Sequence, residues 1–166
     1  LRVAQSCPPR PSPAPPEPFQ PPPEGERILT TRLLHPEILA ALGEAGHGAQ
    51  VLIADGNYPL ATRSNPDAYR VFLNLEPGKL TVTDVLSVIA EAIPVEAAYV
   101  MGPDDGSEPS IYEDFRRLLP DNELERLGRF EFYDMARSSD CCLAIATGEQ
   151  RIYANILLTI GVVMPE

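Results

Sequence analysis

The sequence predicts an α/β fold in which one folded domain follows a proline-rich N-terminal tail. The chain has 166 residues, of which 44% are hydrophobic, enough for a single domain with a sizeable core. Apolar segments with helical spacing alternate with short apolar runs typical of strands, and this alternation indicates a layered α/β sheet. In addition, 10 of the 19 prolines lie within the first 23 residues.

The proline-rich segment has almost no aliphatic residues that a core could bury. Prolines at this density favour solvated polyproline II, and the segment lacks the apolar burial that would offset the entropy lost on ordering. We therefore predict a disordered tail over residues 1–27 and a folded domain over residues 28–166. A docking function for the PxxP spacings at Pro13–Pro16 and Pro18–Pro21 stays open, although such dense prolines produce that spacing by chance.

The helical and strand patterns can be placed from residue 36 onward. A proline at the first helical position and a glycine stop predict a helix over residues 36–45. Strands are predicted over 51–54, 71–75, 97–101, 129–133, 143–146 and 156–158. Thr83 can cap a second helix, and a third is predicted near 110–119. The apolar face of the second helix comprises Val85, Leu86, Val88, Ile89 and Ile93.

The net charge of −11 belongs to the predicted domain. The three Arg and three Glu of residues 1–27 cancel, which leaves 10 basic and 21 acidic residues in the rest of the chain. Binding to nucleic-acid phosphates requires clustered Lys and Arg, which are scattered here. The longest apolar stretches reach about half of the roughly 20 residues that a membrane span requires. We therefore expect no nucleic acid and no membrane as partners; a neutral ligand fits better.

The three cysteines, Cys7, Cys141 and Cys142, favour a reducing compartment. Their number is odd and no CxxC spacing occurs. Neighbours in a strand point to opposite faces, so Cys141 and Cys142 are not expected to pair with each other. Because no charged segment followed by an apolar one opens the chain, we predict a cytoplasmic location.

The first candidate site combines His47, which lies between two glycines, with Asp55 at the end of a predicted strand. The glycines leave the imidazole room for a ligand, and histidine titrates near working pH, which suits an acid/base. The carboxyl end of a strand is a favoured place for ligand sites in open α/β sheets. Structural explanations also exist, because His47 could cap the preceding helix and Asp55 could simply form a turn.

The second candidate site lies near the C-terminus, in segments 147–149 and 153–155. Tyr153 and Asn155 offer hydrogen-bond donors and an acceptor to a polyol, and the aromatic ring can cover an apolar sugar face. A tyrosine at a strand edge and an asparagine in a turn would explain the same pattern. Arg129, beside three aromatic residues, is a third candidate, although such an arginine more often pairs with a carboxylate.

Several short segments, taken together and in order, resemble the ribose pyranase and fucose mutarotase family over about residues 32–163. They are His35-Pro36-Glu37-Ile38-Leu39 through Gly46-His47-Gly48, Ala54-Asp55, Tyr58-Pro59, Arg129-Phe130-Glu131-Phe132-Tyr133, Ala146-Thr147-Gly148-Glu149 and Tyr153-Ala154-Asn155-Ile156-Leu157. Segment 129–133 is similar to fucose mutarotases, whereas segments 153–155 and 72–86 are similar to ribose pyranases. The identity of the sugar therefore stays open.

The resemblance implies a monosaccharide mutarotase or pyranase that needs no cofactor. The fold it implies is a three-layer α/β/α single domain with a mixed central sheet. On the family's pattern, His47 would be the general acid/base. Asp55, Arg129, Tyr153 and Asn155 would hold a free sugar. The resemblance also implies a homo-oligomer with sites at subunit contacts.

Two departures from the family's pattern concern the site. Ala49 stands where relatives usually place an aspartate, and the fucose-type segment expected after Pro59 is absent. These differences indicate an altered or retuned site.

The spacing of His47 and Asp55 gives a prediction of its own. They are eight positions apart, and an extended chain advances about 3.3 Å per residue. If residues 50–54 are fully extended, the two side chains cannot share one small sugar within a single subunit. We favour a pocket that combines His47 of one subunit with Asp55 and Tyr153 of another, because symmetric oligomers reuse one surface. The alternative is a chain that turns back before Asp55.

Two other functions stay open on the sequence alone. The same polar groups would serve a non-catalytic monosaccharide-binding protein associated with sugar uptake, and the tail would suit a scaffold that recruits partners. A metal site is not expected, because only His35 and His47 are available and His35 suits the start of a helix. Neither GxGxxG nor a P-loop occurs, so no nucleotide cofactor is expected.

Overall fold

The computed structural model describes residues 29–165 and has five helices and six strands within that range. In chain order they are α1 (Pro36–Glu44), β1 (Gln50–Ala54), α2 (Leu60–Arg63), β2 (Tyr69–Phe72), α3 (Val82–Ala92), β3 (Val95–Met101), α4 (Ile111–Leu118), β4 (Leu124–Leu127), α5 (Arg129–Ala136), β5 (Cys141–Ala146) and β6 (Ile156–Ile160). Within the described range, no helix is long and apolar enough to cross a membrane. The predicted tail over 1–27, with its PxxP segments, lies outside the described residues.

The six strands form one mixed sheet in the order β2-β5-β1-β6-β3-β4. Strand β6 is antiparallel to both of its neighbours, β1 and β3, and the other pairs are parallel. Strands β1 to β5 therefore end at one edge of the sheet, where β6 begins. We call this the carboxyl edge, and the opposite one, where β6 ends, the amino edge.

Two apolar clusters cover the two faces of this sheet. Helices α1, α3 and α4 pack on one face, and α2 and α5 pack on the other. Strand β1 shows why both faces are covered, because all five of its residues are buried and its four apolar residues alternate between the clusters. Val51 and Ile53 belong to the first cluster, whereas Leu52 and Ala54 belong to the second. The fold is therefore α/β with three layers and a mixed sheet, which confirms the predicted class.

Helix α3 begins two residues earlier than predicted, because Thr81 and not Thr83 is its cap. The Thr81 hydroxyl accepts a hydrogen bond from the backbone N–H of Asp84 (3.3 Å), and the Asp84 carboxylate accepts one from the backbone N–H of Thr81 (2.8 Å). These reciprocal bonds form a capping box that satisfies two free donors. Thr81 is followed three positions later by an acidic residue, Asp84, whereas Thr83 is not. This spacing distinguishes the two threonines.

The strand predicted over 129–133 is wrong, since Arg129–Ala136 forms helix α5. Aromatic residues at 130 and 132 imitate the alternation of a half-buried strand. In the structure, Phe132 and Ala136 are fully buried with the four-residue spacing of a helix, whereas Phe130 is 71% exposed. The strand predicted over 71–75 lies earlier, at Tyr69–Phe72. The sequence did not indicate α2 or the short strand β4 at the sheet's edge.

Candidate functional site

Asp55 follows β1 directly, at the carboxyl edge, and is only 4% exposed. Its Oδ1 accepts a hydrogen bond from the backbone N–H of Asn57 (2.9 Å). Its Oδ2 accepts two, from the backbone N–H of Ala154 (3.2 Å) and from Nδ2 of Asn155 (3.0 Å). In turn, Oδ1 of Asn155 accepts a hydrogen bond from the backbone N–H of Asp55 (2.8 Å). This reciprocal pair fixes the carboxylate, and Oδ1 keeps acceptor capacity for a ligand.

Burial and hydrogen bonds act in opposite directions on the pKa of this carboxyl group. Removal from water raises the pKa of Asp55 above its usual value, because it disfavours the charged form. Hydrogen bonds from Asn57, Ala154 and Asn155 lower the pKa and offset part of this effect. A buried carboxyl group with a raised pKa at the end of a strand is typical of functional sites.

Arg129 and Tyr153 meet beside Asp55, although they come from different elements. Arg129 is the first residue of α5, and its Nη2 donates a hydrogen bond to the Tyr153 hydroxyl (3.1 Å). The backbone of Tyr153 has a φ of 58°, in the left-handed region that non-glycine residues rarely adopt. Such backbone strain persists only where surrounding contacts hold it, and it concentrates at functional sites.

These side chains line one pocket of about 310 Å³ at the carboxyl edge. Its lining residues are Asp55, Asn57, Tyr58, Met101, Arg129, Tyr133, Ile152, Tyr153 and Asn155. A wider cleft of about 550 Å³ beside the loop that follows β3 shares Ile152 and Tyr153 with it. The structure thus brings together four of the five site residues predicted from the sequence. We call this the Asp55 pocket.

Aromatic side chains form one wall of the Asp55 pocket. The rings of Tyr58 and Tyr133 meet edge to face with centroids 5.4 Å apart, and the Arg63 guanidinium lies 5.4 Å from the centroid of Tyr133. The Tyr58 hydroxyl donates to the backbone carbonyl of Arg63 (2.7 Å), and burial raises the pKa of this phenol. Sequence reasoning missed Tyr58 and Tyr133 as pocket residues, because nothing local relates the turn after β1 to the middle of α5.

The segment 147–149 stabilises the backbone that carries Asp55. The Thr147 hydroxyl donates to the carbonyl of Ala54 (2.8 Å), and the carbonyl of Glu149 accepts the N–H of Gly56 (2.9 Å). These bonds hold the backbone on both sides of Asp55. Burial works against the charge of Glu149, but hydrogen bonds from Arg151 hold its pKa below the usual value. This segment therefore positions Asp55 and does not line its pocket.

His47 lies at the opposite end of β1, at the amino edge. It lines a separate open pocket of about 390 Å³ with Pro94, Val95, Glu96, Gly161 and Val162. Its Nε2 lies 2.7 Å from Oε2 of Glu96. Strand β1 has five residues between the two sites, about 16 Å of extended chain. His47 and Asp55 thus line different pockets within one chain, as the spacing predicted.

The chain is similar to known proteins in both sequence and fold. The family model described as the RbsD / FucU transport protein family matches residues 29–163. The chain belongs to this family. A fucose mutarotase of Danio rerio is 28% identical over 149 residues, covering 81% of this chain and 92% of the relative. A D-ribose pyranase of Bacillus cytotoxicus is 32% identical over 132 residues, covering 79% of this chain and 95% of the relative.

A solved structure agrees with the sequence comparisons. Bacillus subtilis RbsD complexed with D-ribose superposes with a TM-score of 0.70 and 27% sequence identity. The superposition covers 80% of this chain and 96% of that protein. The mixed resemblance to fucose mutarotases and ribose pyranases is therefore confirmed. Within residues 29–165, no group of three or more His, Cys, Asp or Glu is placed to hold a metal ion.

Proposed function

We propose that this protein is a monosaccharide mutarotase or pyranase that interconverts anomers or ring forms of a free sugar. The observation that carries this proposal is the Asp55 pocket, in which a buried carboxylate, an amide, a phenol and a guanidinium surround one small cavity. Such a group set matches the alternating hydroxyls of a sugar, and the aromatic wall suits its apolar face. Membership of the RbsD / FucU family supports the same function.

The reaction requires a proton to reach the ring oxygen while the anomeric hydroxyl loses one. The open aldehyde then rotates and closes again, so no net oxidation occurs and no cofactor takes part. In this proposal His47 exchanges the proton, and a positioned acid/base contributes about 10²–10⁴-fold to the rate. Oδ1 of Asp55 accepts sugar hydroxyls, and Tyr153 and Arg129 orient the ring. Asn155 uses its amide chiefly to hold Asp55, with one N–H left for the sugar.

We further propose that one complete site contains His47 of one subunit and the Asp55 pocket of another. Two observations support this arrangement: the groups line separate pockets, and both pockets are open. A symmetric oligomer that brings the amino edge of one copy to the carboxyl edge of the next would complete every site in the same way. A monomer with full activity would refute this arrangement.

The cytoplasm is the proposed location. Cys141 and Cys142 are free thiols, and their side chains pack on opposite faces of the sheet. Burial raises the pKa of Cys141 to about 11, so this thiol is a poor nucleophile. The absence of a disulfide within the described residues suits a reducing compartment.

Saturation-transfer NMR on the anomeric protons of ribose, fucose and other monosaccharides tests the proposed activity. Faster exchange between anomers or ring forms of one sugar, in the presence of protein, would support the proposal and name the substrate. The second candidate is a non-catalytic monosaccharide-binding protein, which the same polar groups would serve. Line broadening of a sugar without accelerated exchange would favour that candidate and contradict the enzyme.

A further inference from the structure

Glu96 supplies the carboxylate that contacts His47. Its Oε2 lies 2.7 Å from Nε2 of the imidazole, a hydrogen-bond distance, although the residues are 49 positions apart. A carboxylate accepts hydrogen bonds and donates none when ionised. The proton of this contact therefore belongs to Nε2 of His47, which leaves Nδ1 as the nitrogen with a free lone pair in the neutral ring.

The backbone of β3 turns Glu96 toward His47 by means of a bulge. Val95 pairs with Ile160 and Ala97 pairs with Thr159, so Glu96 is an extra residue opposite β6. A bulge of this kind redirects the side chain of the inserted residue and bends the strand. Without the bulge, the regular alternation of side chains along β3 would determine the face of the sheet on which Glu96 lies.

Glycines allow a close approach of the three segments that line this pocket: the loop that carries His47, the start of β3 and the residues after β6. A Cβ on Gly161 would lie 3.3 Å from the Cβ of Glu96, so a side chain there would press on the bulge. The N–H of Gly161 donates to the carbonyl of Pro94 (2.8 Å), and the N–H of Gly48 donates to the carbonyl of Ile160 (2.9 Å). The loop that carries His47 and the bulge that carries Glu96 are thus both hydrogen-bonded to the end of β6.

We propose that Glu96 is a positioning residue for the acid/base His47. It selects the tautomer protonated on Nε2 and directs Nδ1 toward the sugar. A carboxylate that orients a catalytic histidine acts in this way in other enzymes. This inference rests on the proposed function, and it assigns to Glu96 a role that needs no contact with the sugar.

Two measurements on the full chain test the role of Glu96. The first is the tautomer of His47, read from ring nitrogen shifts in long-range ¹H–¹⁵N NMR and assigned by loss of the signals in His47→Ala. We expect the neutral ring of the wild type to carry its proton on Nε2, and Glu96→Ala to populate both tautomers. The second is saturation-transfer kinetics over a range of sugar concentrations. We expect Glu96→Ala and Glu96→Gln to lower kcat about tenfold, with KM unchanged.

Glu91→Gln is the matched control. Glu91 is a glutamate of similar exposure that pairs with Arg32 on the surface, and its replacement should leave both the tautomer and kcat unchanged. A wild-type ring protonated on Nδ1, or kcat values for both Glu96 variants equal to that of Glu91→Gln, would overturn the inference. If the wild type accelerates no sugar exchange, the proposed function itself fails. Normal wild-type exchange with unchanged Glu96 variants removes only the role of Glu96.

Discussion

The two ends of β1 carry two different halves of the proposed site. At the carboxyl edge, Asp55 is 4% exposed and its carboxylate accepts three hydrogen bonds. At the amino edge, the side chain of His47 is 59% exposed and contacts one carboxylate, that of Glu96. The proposed sugar-binding half is therefore preorganised by its own chain, whereas the proposed proton-transfer half is open to a second surface. This difference leads to separate expectations for the two halves.

The largest effect is expected at the open half. His47→Ala should lower the rate of anomer exchange by about 10²–10⁴-fold, the contribution of a positioned acid/base. Because the side chain is largely exposed, the melting temperature should not change. Saturation-transfer NMR measures the exchange, and His35→Ala serves as a control at the other histidine. Wild-type rates in His47→Ala would show that the amino edge takes no part in the chemistry.

At the buried half, Asp55→Asn should weaken sugar binding and lower kcat/KM. The side-chain amide of this variant has one oxygen and one NH₂ group. In either orientation the NH₂ group faces a donor, which is the N–H of Asn57 in one case and the donors of Ala154 and Asn155 in the other. Loss of hydrogen bonds to a charged group costs about 1.5–3 kcal/mol, which corresponds to about 10–100-fold in kcat/KM. Asp67→Asn, at an exposed position, is the control. Equal kcat/KM values for the two variants would contradict the role of Asp55.

The pH dependence of sugar binding should report on Asp55, in the buried half. Because the pKa of Asp55 in the folded protein is above its ordinary value, the carboxylate is protonated at a higher pH than an exposed aspartate would be. Sugar affinity should be full above this raised pKa and fall as the pH decreases through it. Titration calorimetry between neutral and acidic pH measures the affinity. The same pH dependence in Asp55→Asn would show that another group is responsible.

A smaller effect is expected at the exposed margin of the Asp55 pocket. Tyr153→Phe removes the hydroxyl that Arg129 contacts at 3.1 Å, and a single hydrogen bond contributes about 1 kcal/mol, or about fivefold in KM. Tyr69→Phe removes a comparable surface hydrogen bond to Glu44 and should have no effect on KM. A change in KM of the same size for both variants would indicate a general loss of stability.

Much of the fold could be predicted because local pattern and tertiary environment agree. The apolar run of β1 and the turn residues after it identified both the strand and the place of Asp55. The strand predicted over 129–133 was wrong because the spacing of its aromatic residues fits both a strand and a helix. Burial of Phe132 and Ala136, four positions apart, decides for the helix. Nothing local indicated β4, whose four residues are all exposed or half-buried.

The site was predictable only in part, for the same physical reason. Asp55, Arg129, Tyr153 and Asn155 were found from residue chemistry and family resemblance, and the structure brings them together. Tyr133 lies in α5, a segment that the sequence predicted as a strand, so its place in the aromatic wall could not be predicted. Glu96 looks like an ordinary polar residue at the start of a strand. Only the bulge in β3 and the approach of Gly161 bring it to His47.

Mixing two impaired variants tests most directly whether the two halves act together in sugar exchange. His47→Ala and Asp55→Asn would be combined in equal amounts, their subunits allowed to exchange, and anomer exchange measured by saturation-transfer NMR. If each site uses His47 of one subunit and Asp55 of another, random assembly restores about a quarter of the wild-type activity. Activity no greater than the sum of the separate variants, with mixed oligomers shown by mass spectrometry, would contradict the account.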